Sequence, residues 1–214
     1  RKAGHIYAMK VLKPEAIRDD IDRKRFHREC SALQKIRSDH VVPYHDHGAF
    51  DHDGVETYYL VMGFVEGSDL QRRLRGRTFP LPEAEIRTVL GQVLRGLADI
   101  HEKRIIHRDL KPANIFVTKD GAVKIVDFGL VKMIDYTTLT MTGAAVGTPL
   151  YMSPEEMQGK EIDHRSDLYS FGVLLYHLLT GTYPFTAENP MQLMHRVTQE
   201  PPHRPTEHKP DISN

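Results

Sequence analysis

The chain has 214 residues, enough for one large domain or two small lobes that each bury a hydrophobic core. Its 29 lysine and arginine residues balance 29 aspartate and glutamate residues, so the overall charge recruits neither nucleic acid nor an anionic membrane. The single cysteine, Cys30, excludes an internal disulfide framework and a cysteine-based zinc site, and it favours a reducing, cytoplasmic location.

The first sixty residues are predicted to form a small, sheet-rich unit. An apolar run over 6–12 predicts a strand, and Asp22 is expected to cap the following helix, whose apolar residues recur at helical spacing over 26–36. Two strands over 41–50 and 57–62 are predicted to form a hairpin, because a turn containing Asp and Gly separates them.

A group of histidines in this region raises the question of a metal site; its members are His40, His45, His47 and His52. The run also contains Pro43 and two glycines, and it supplies no helical i, i+4 pair with a nearby carboxylate. We interpret the group as solvated loop histidines, with metal binding as the alternative.

Composition changes after Met62, where the segment 63–67 contains two glycines and is predicted to connect two lobes. Helices are predicted beyond it, the first with Pro82 in its opening turn and an apolar stripe as far as Ile100. Further helical patterns cover 166–181 and 190–198, which makes the second half mainly helical.

Three other segments of this half have distinct patterns. Strands over 115–117 and 123–126 flank a turn and predict a hairpin. Residues 130–150 are rich in Thr and Gly and predict a mobile surface segment. The stretch 201–210 is too rich in proline and histidine for regular structure to be expected.

Residues 107–114 read His-Arg-Asp-Leu-Lys-Pro-Ala-Asn, and Asp-Phe-Gly follows the hairpin at 127–129. At this spacing Asp109, Asn114 and Asp127 supply one proton acceptor and two metal ligands around a single phosphoryl group, as ATP-dependent phosphorylation of a hydroxyl requires. We expect these three side chains to converge on one cleft, opposite the amine of an upstream lysine.

On these motifs the chain resembles the serine/threonine protein kinases, most closely their bacterial, eukaryotic-like branch. The resemblance covers essentially the whole chain. It implies an α+β, two-lobed protein-kinase-like fold, with part of a small sheet-rich N-lobe over 1–62, a hinge over 63–69, and part of a larger, mainly helical C-lobe over 70–214. The implied function is transfer of the γ-phosphate of ATP to Ser or Thr hydroxyls of proteins.

The resemblance also implies catalytic roles. Asp109 would accept the proton of the substrate hydroxyl, and Lys111 would neutralise charge on the transferring group. Lys10, in the strand sequence Tyr-Ala-Met-Lys, would hold the α- and β-phosphates while paired with Glu29 of the next helix.

A nucleotide site is implied in the same way. Asn114 and Asp127 would bind Mg²⁺, with Mn²⁺ as a substitute. The residues expected to contact adenosine, or to control access to its pocket, are Ala8 and Phe116 at the faces of adenine, Gly63 and Val65 through backbone groups, Asp69 at the ribose, and Met62 behind the pocket. For the apolar members of this set, core packing explains the residue type equally well.

Residues 147–155 resemble the end of a kinase activation segment, with Ser153 where the family more often has alanine. Thr148 together with Lys111 is the pattern of a Ser/Thr rather than a Tyr kinase. Asp167 resembles the acid that steadies the catalytic loop from the following helix.

Arg108, directly before the expected catalytic base, implies control by phosphorylation. A phosphate on Thr140 or Thr142 would pair with this guanidinium and order the activation segment, with Thr137 and Thr138 as further candidates. A dimer would allow such autophosphorylation, and the sequence leaves the oligomeric state open.

The sequence departs from the family at both ends. It lacks the glycine-rich loop expected before Lys10 and the helices expected after Ile212, one of which supplies an arginine partner for the residue matching Glu155. We therefore expect an internal kinase fragment with little activity by itself.

The main alternative function is a pseudokinase that binds or scaffolds without turnover. The expected partners are ATP and proteins with Ser or Thr acceptors, and no nucleic acid. The longest apolar run, 168–179, is too short to span a membrane, although the parent protein could carry an anchor elsewhere.

Overall fold

The computed structural model describes residues 4–129 and 149–212. In chain order its helices and strands are β1 (Tyr7–Val11), α1 (Asp20–Leu33), β2 (Tyr44–His52), β3 (Val55–Gly63), β4 (Gly67–Asp69), α2 (Leu70–Leu74), α3 (Glu83–Glu102), β5 (Ile115–Thr118), β6 (Val123–Ile125), α4 (Pro154–Met157), α5 (His164–Thr180), α6 (Pro190–Gln199) and α7 (Pro205–His208). Single 3₁₀ turns lie at Pro14–Ala16 and Pro112–Asn114.

The N-terminal part is an antiparallel sheet in the order β1-β3-β2, with α1 in contact with β2. Helix α1 buries the side chains of Phe26, Cys30 and Leu33, so the apolar stripe predicted from the sequence is the one that packs into the core. The predicted hairpin is confirmed, and its turn consists of Asp53 and Gly54 with φ of 54° and 80°. Positive φ at both positions gives the turn the twist that joins antiparallel strands.

Several boundaries predicted for this part differ from those of the structure, and two of the differences have a clear physical reason. Asp19, not Asp22, caps α1, because its carboxylate accepts the backbone N–H groups of Ile21 and Asp22. Strand β2 begins at Tyr44 rather than at residue 41, because Pro43 before it has no N–H to donate to a ladder.

Three short strands form a second antiparallel sheet in the order β4-β5-β6. The β5-β6 pair is the hairpin predicted from the sequence, and it pairs Ile115 with Ile125. The segment between α1 and β2 also attaches to this hairpin. Val42 donates its N–H to Ile125 O at 2.9 Å, and Ile125 donates its own to His40 O at 2.8 Å.

The remaining described residues are mainly helical. Helix α3 contacts both α5 and β6 and buries Val93, Leu97 and Ile100 completely or nearly so. Helix α5 begins at His164, two residues before the predicted start, because Asp163 caps it by accepting the N–H of Arg165. None of the helices in the two described ranges combines the length and apolar character needed to cross a bilayer.

The C-terminal stretch corrects a second prediction in this half. Residues expected to lack regular structure include the single-turn helix α7, which begins at Pro205. Proline is tolerated in a first helical turn because its missing N–H would have no partner there. Most of the segment predicted to be mobile, 130–150, lies outside the described residues.

The C-terminus of α5 provides a stability prediction. Gly181 has φ of 78°, and a Cβ added there would lie 2.8 Å from Cγ of Phe79. Gly181→Ala is therefore expected to lower the free energy of unfolding by at least about 2 kcal/mol, through left-handed strain and overpacking. Urea unfolding measures the loss.

Gly172→Ala is the matched control on the same helix, because a Cβ at Gly172 meets no atom within 4 Å. We expect it to raise the unfolding free energy by roughly 0.5–1 kcal/mol, since alanine favours a helix interior over glycine. Equal effects of the two substitutions would contradict the explanation.

Candidate active site

The loop 107–114 is fixed to the helical part by one buried carboxylate. Asp167 of α5 accepts the backbone N–H groups of His107 and Arg108, both at 2.9 Å, and its Oδ2 lies 2.7 Å from Nε2 of His101. Burial alone would raise the pKa of Asp167, but the bond from His101 and the contacts from His107 and Arg108 outweigh it and hold the pKa below its usual value. The loop is therefore anchored through its backbone.

His107 connects this loop to residues 127–129. The ring is fully buried, its Nε2 donates to Val126 O at 3.0 Å, and its Nδ1 accepts the N–H of Asp109 at 3.3 Å. These two bonds require the neutral ring with its hydrogen on Nε2. The ring also packs on Phe128, with 4.7 Å between ring centroids, so His107 joins the two motifs in both polar and apolar contacts.

The predicted cluster around Asp109 is present as a set of contacts. Asn114 Nδ2 donates to the backbone oxygen of Asp109 at 2.8 Å and to its Oδ2 at 2.9 Å, and it lies 3.4 Å from Asp127 O. Lys111 Nζ lies 2.8 Å from the same Asp109 Oδ2. Lys10 of β1 forms an ion pair with Asp127. The structure thus brings these five residues from β1, the loop and the hairpin into one continuous site.

The predicted pairing of Lys10 with Glu29 is wrong. Both residues are described, and the ion pair that Lys10 makes is with Asp127. Glu29 is half-buried and adjoins Cys30, which faces the core, so its side chain points about 100° around the helix from the packed position. The side chain of Lys10 is flexible, and its ammonium reaches the carboxylate of Asp127.

Two of the residues predicted to contact adenine lie opposite other members of the set. Ala8 pairs with Met62 across β1 and β3, and Phe116 pairs with Asp69 across β5 and β4. Ala8 and Phe116 are half-buried and pack against the core, and Met62 is buried.

The residues predicted to bind the nucleotide through backbone or carboxylate groups also have contacts within the protein. Gly63 donates its N–H to Pro43 O at 2.9 Å, and Val65 is half-buried against the core. Asp69 caps α2 by accepting the N–H of Arg72 at 2.7 Å. The carboxylate of Asp69 would therefore contact the ribose of a nucleotide while it also caps α2.

The oxygen ligands predicted for a metal suit a divalent cation. Asp127 offers a carboxylate, and Asn114 directs its amide nitrogen to Asp109, which leaves its amide oxygen on the other side. The described residues contain no group of three His, Cys, Asp or Glu side chains able to hold a metal. A cation here would complete its ligands with water and phosphate oxygens, as Mg²⁺ does in phosphoryl-transfer enzymes.

Three features of the site were not predicted from the sequence. His101 lies in the last turn of α3, where a histidine is common because it suits the helix dipole, so its contact with Asp167 left no separate signal. Ser153 caps α4 in a reciprocal capping box with Glu156, which explains structurally why a serine is present at this position. Glu155 accepts a hydrogen bond from Ser166 Oγ at 2.6 Å. Thr140, Thr142 and Thr148 lie outside the described residues.

Acidification is expected to destabilise the protein. Burial lowers the pKa of His107, and also of His47 and His177, below the ordinary value of 6.5. Below about pH 6.5 the unfolded chain therefore binds more protons than the folded chain, and the free energy of unfolding falls with pH. Urea unfolding at about pH 7.5 and about pH 5.5 measures this change.

Two variants test whether a buried histidine causes this pH dependence. His177→Gln is expected to reduce the pH dependence, because glutamine does not titrate. The same replacement at exposed His52 serves as the control for the substitution itself. Equal unfolding free energies at both pH values would contradict the expectation.

Comparison with known proteins identifies the family to which this site belongs. The family model described as the protein kinase domain matches residues 1–213. The chain belongs to the protein kinase family. Use of ATP and a divalent metal is general in this family, and the fit of the oxygen ligands described above agrees with it.

Several bacterial proteins are similar to this kinase chain. A probable serine/threonine-protein kinase of Corynebacterium efficiens is 39% identical over 212 residues, covering 98% of the chain and 32% of that protein. The serine/threonine-protein kinase PknA of Corynebacterium glutamicum is 40% identical over 201 residues, covering 93% of the chain and 43% of that protein. The kinase chain therefore spans less than half the length of these relatives.

Solved structures agree. The crystal structure of the Mycobacterium tuberculosis PknI kinase domain matches with a TM-score of 0.71 and 28% identity, over 96% of this kinase chain and 71% of that one. The predicted α+β, two-lobed protein-kinase-like fold is confirmed.

Proposed function

We propose that this kinase domain transfers the γ-phosphate of ATP to serine and threonine hydroxyls of proteins. The observation that carries the proposal is the continuous set of contacts from Lys10 through Asp127 and Asn114 to Asp109 and Lys111. It combines a proton acceptor, two oxygen ligands and two cations around one position, and a purely structural cluster has no need of that combination. The names of the relatives support the same reaction.

In the proposed reaction Asp109 orients the acceptor hydroxyl and takes its proton as the oxygen attacks the γ-phosphorus. The bond from that phosphorus to the bridging oxygen breaks, and ADP leaves with the bridging oxygen. Asn114 holds Asp109 through Oδ2, and Lys111 places positive charge beside it. Asn114 and Asp127 would hold the proposed cation, Mg²⁺ with Mn²⁺ as a substitute, which would supply positive charge to the phosphate oxygens.

The proposed nucleotide site has Ala8 and Phe116 at the faces of adenine, Met62 behind it, and backbone groups of Gly63 and Val65 at its polar edge, with Asp69 at the ribose. Its support is the strand register that sets Ala8 opposite Met62 and Phe116 opposite Asp69. Glu29 is left out of the proposed catalytic set, because Lys10 pairs with Asp127.

The proposed lobe boundaries remain 1–62, 63–69 and 70–214. In support, residues 64–66 belong to neither sheet, although β4 already pairs with β5 of the second one. Phosphorylation of Thr140 or Thr142 is proposed as the control. In its support, Arg108 has a buried Nε without a hydrogen-bond partner within the described residues.

Two further proposals concern the setting of the reaction. A cytoplasmic location is proposed from the single cysteine, whose buried thiol has its pKa raised to about 12 and is held in the protonated, unreactive form. A dimer is proposed for autophosphorylation, which mixing an inactive variant with the active protein tests directly.

The test of the function is a transfer assay on the protein in its full natural length. The protein is incubated with a general protein acceptor and ATP labelled with ³²P at the γ-phosphate, with Mg²⁺ or Mn²⁺. Acid hydrolysis of the product is expected to yield labelled phosphoserine and phosphothreonine. Nucleotide binding without any transfer would contradict the proposal and indicate a non-catalytic binding module.

A further inference from the structure

A tyrosine hydroxyl is buried directly behind residues 127–129. Tyr44 is 5% exposed, and its ring stands edge-on to Phe128 with 5.7 Å between the ring centroids. The hydroxyl oxygen has no hydrogen-bond partner of standard geometry within the described residues. A buried polar group in that state is costly, whereas phenylalanine would make the same ring contact without the cost.

The groups that shift the pKa of the Tyr44 hydroxyl identify its surroundings. Burial raises the pKa of Tyr44, and the negative charge of Asp127 raises it further. The backbone N–H groups of Phe128 and Asp127 approach the oxygen and act in the opposite direction. The hydroxyl therefore lies beside the peptide N–H groups of the residue expected to bind the metal.

The backbone at Asp127 adopts a conformation that is uncommon for residues other than glycine. Its φ is 62°, in the left-handed region, without glycine at that position. The backbone N–H groups on either side are already held: Val126 donates to Asn114 O and Gly129 donates to His107 O, both at 2.9 Å. The N–H groups between these two bonds are the ones that approach Tyr44.

We propose that Tyr44 is a positioning residue for Asp127, whose hydroxyl accepts an N–H of the Asp127-Phe128 backbone and so fixes the direction of the Asp127 carboxylate. The ring and the hydroxyl then have separate roles, because the ring packs on Phe128 and the hydroxyl holds the backbone.

The test is Tyr44→Phe in the full-length protein, which keeps the ring and removes only the hydroxyl. Amide hydrogen exchange of a peptide covering 126–129, measured without nucleotide, is expected to become several-fold faster. The Mg²⁺ concentration that gives half-maximal nucleotide binding is expected to rise several-fold, because the metal ligand is less well oriented. The melting temperature is not expected to rise.

Tyr176→Phe is the matched control, because the hydroxyl of Tyr176 is also buried without a partner in the described part of the chain. Tyr176 lies on α5 and contacts His208, so its variant should leave exchange at 126–129 and the Mg²⁺ dependence unchanged. Unchanged exchange at 126–129 in the Tyr44→Phe protein would overturn the proposal, whether or not its melting temperature rises.

A catalytic role for Tyr44 rests on the proposed function, but the hydrogen-exchange measurement does not. Hydrogen exchange is measured on protein without nucleotide, so it decides the role of the hydroxyl even if no phosphate is transferred. A wild-type protein without transfer activity would refute the proposed function alone. Unchanged exchange in an active Tyr44→Phe protein would refute the positioning role alone.

Discussion

Asp109→Asn is expected to lower kcat for phosphoryl transfer by about 10²–10⁴-fold with little change in nucleotide affinity. Asparagine keeps the shape of the side chain and its contacts with Asn114 and Lys111, but it does not accept a proton. The loss should therefore fall on kcat rather than on the KM for ATP. Steady-state kinetics and direct measurement of ADP binding separate the two.

The matched control for this experiment is Asp211→Asn, which makes the same chemical change at an exposed residue away from the site. It should leave both kinetic constants unchanged. An Asp109→Asn protein that retains the wild-type kcat would remove this carboxylate from the chemistry.

Asp167→Ala is expected to cost about 3–5 kcal/mol of unfolding free energy, close to the total stability of a marginal domain. The carboxylate is 1% exposed and accepts three hydrogen-bond contacts, including two backbone N–H groups of the loop 107–114. Its loss leaves the N–H groups of His107 and Arg108 buried without a partner. Urea unfolding at neutral pH measures the change.

Asp163→Ala is the control for this prediction, because Asp163 lies at the exposed start of the same helix and loses only a cap and an ion pair with Arg165. Its loss of stability should be clearly smaller. Asp167→Asn should be intermediate, because the amide offers one acceptor oxygen where the carboxylate offers two. Equal losses for Asp163→Ala and Asp167→Ala would show that the buried contacts contribute little.

The candidate catalytic cluster was predictable because most of it is local in sequence. Asp109 and Asn114 lie in one loop, and a hairpin with a recognisable turn returns the chain from Asn114 to Asp127. Residue type and spacing are enough to bring such groups together. The helices were predictable for a similar reason, because an apolar stripe at helical spacing identifies the face that packs.

Features that depend on competition or on tertiary packing were not predictable. Asp19, Asp20 and Asp22 are all suitable caps, and only the path of the chain before α1 selects Asp19. The partner of Lys10 depends on which of two carboxylates lies nearer after β1, α1 and the hairpin have packed. The position of the Tyr44 hydroxyl depends equally on distant elements, because Asp127 and Phe128 beside it lie more than eighty residues further along the chain.

The two bonds between the 40–42 segment and Ile125 give the N-terminal sheet a second attachment, besides the covalent connection through 64–66. Two separate points of attachment define an axis of rotation for the sheet. Rotation of the sheet about this line would carry Lys10 towards or away from Asp109. Because Ile125 lies at one end of this axis, Asp127 would move little, so the distance between Lys10 and Asp109 would change while the proposed metal ligands kept their places.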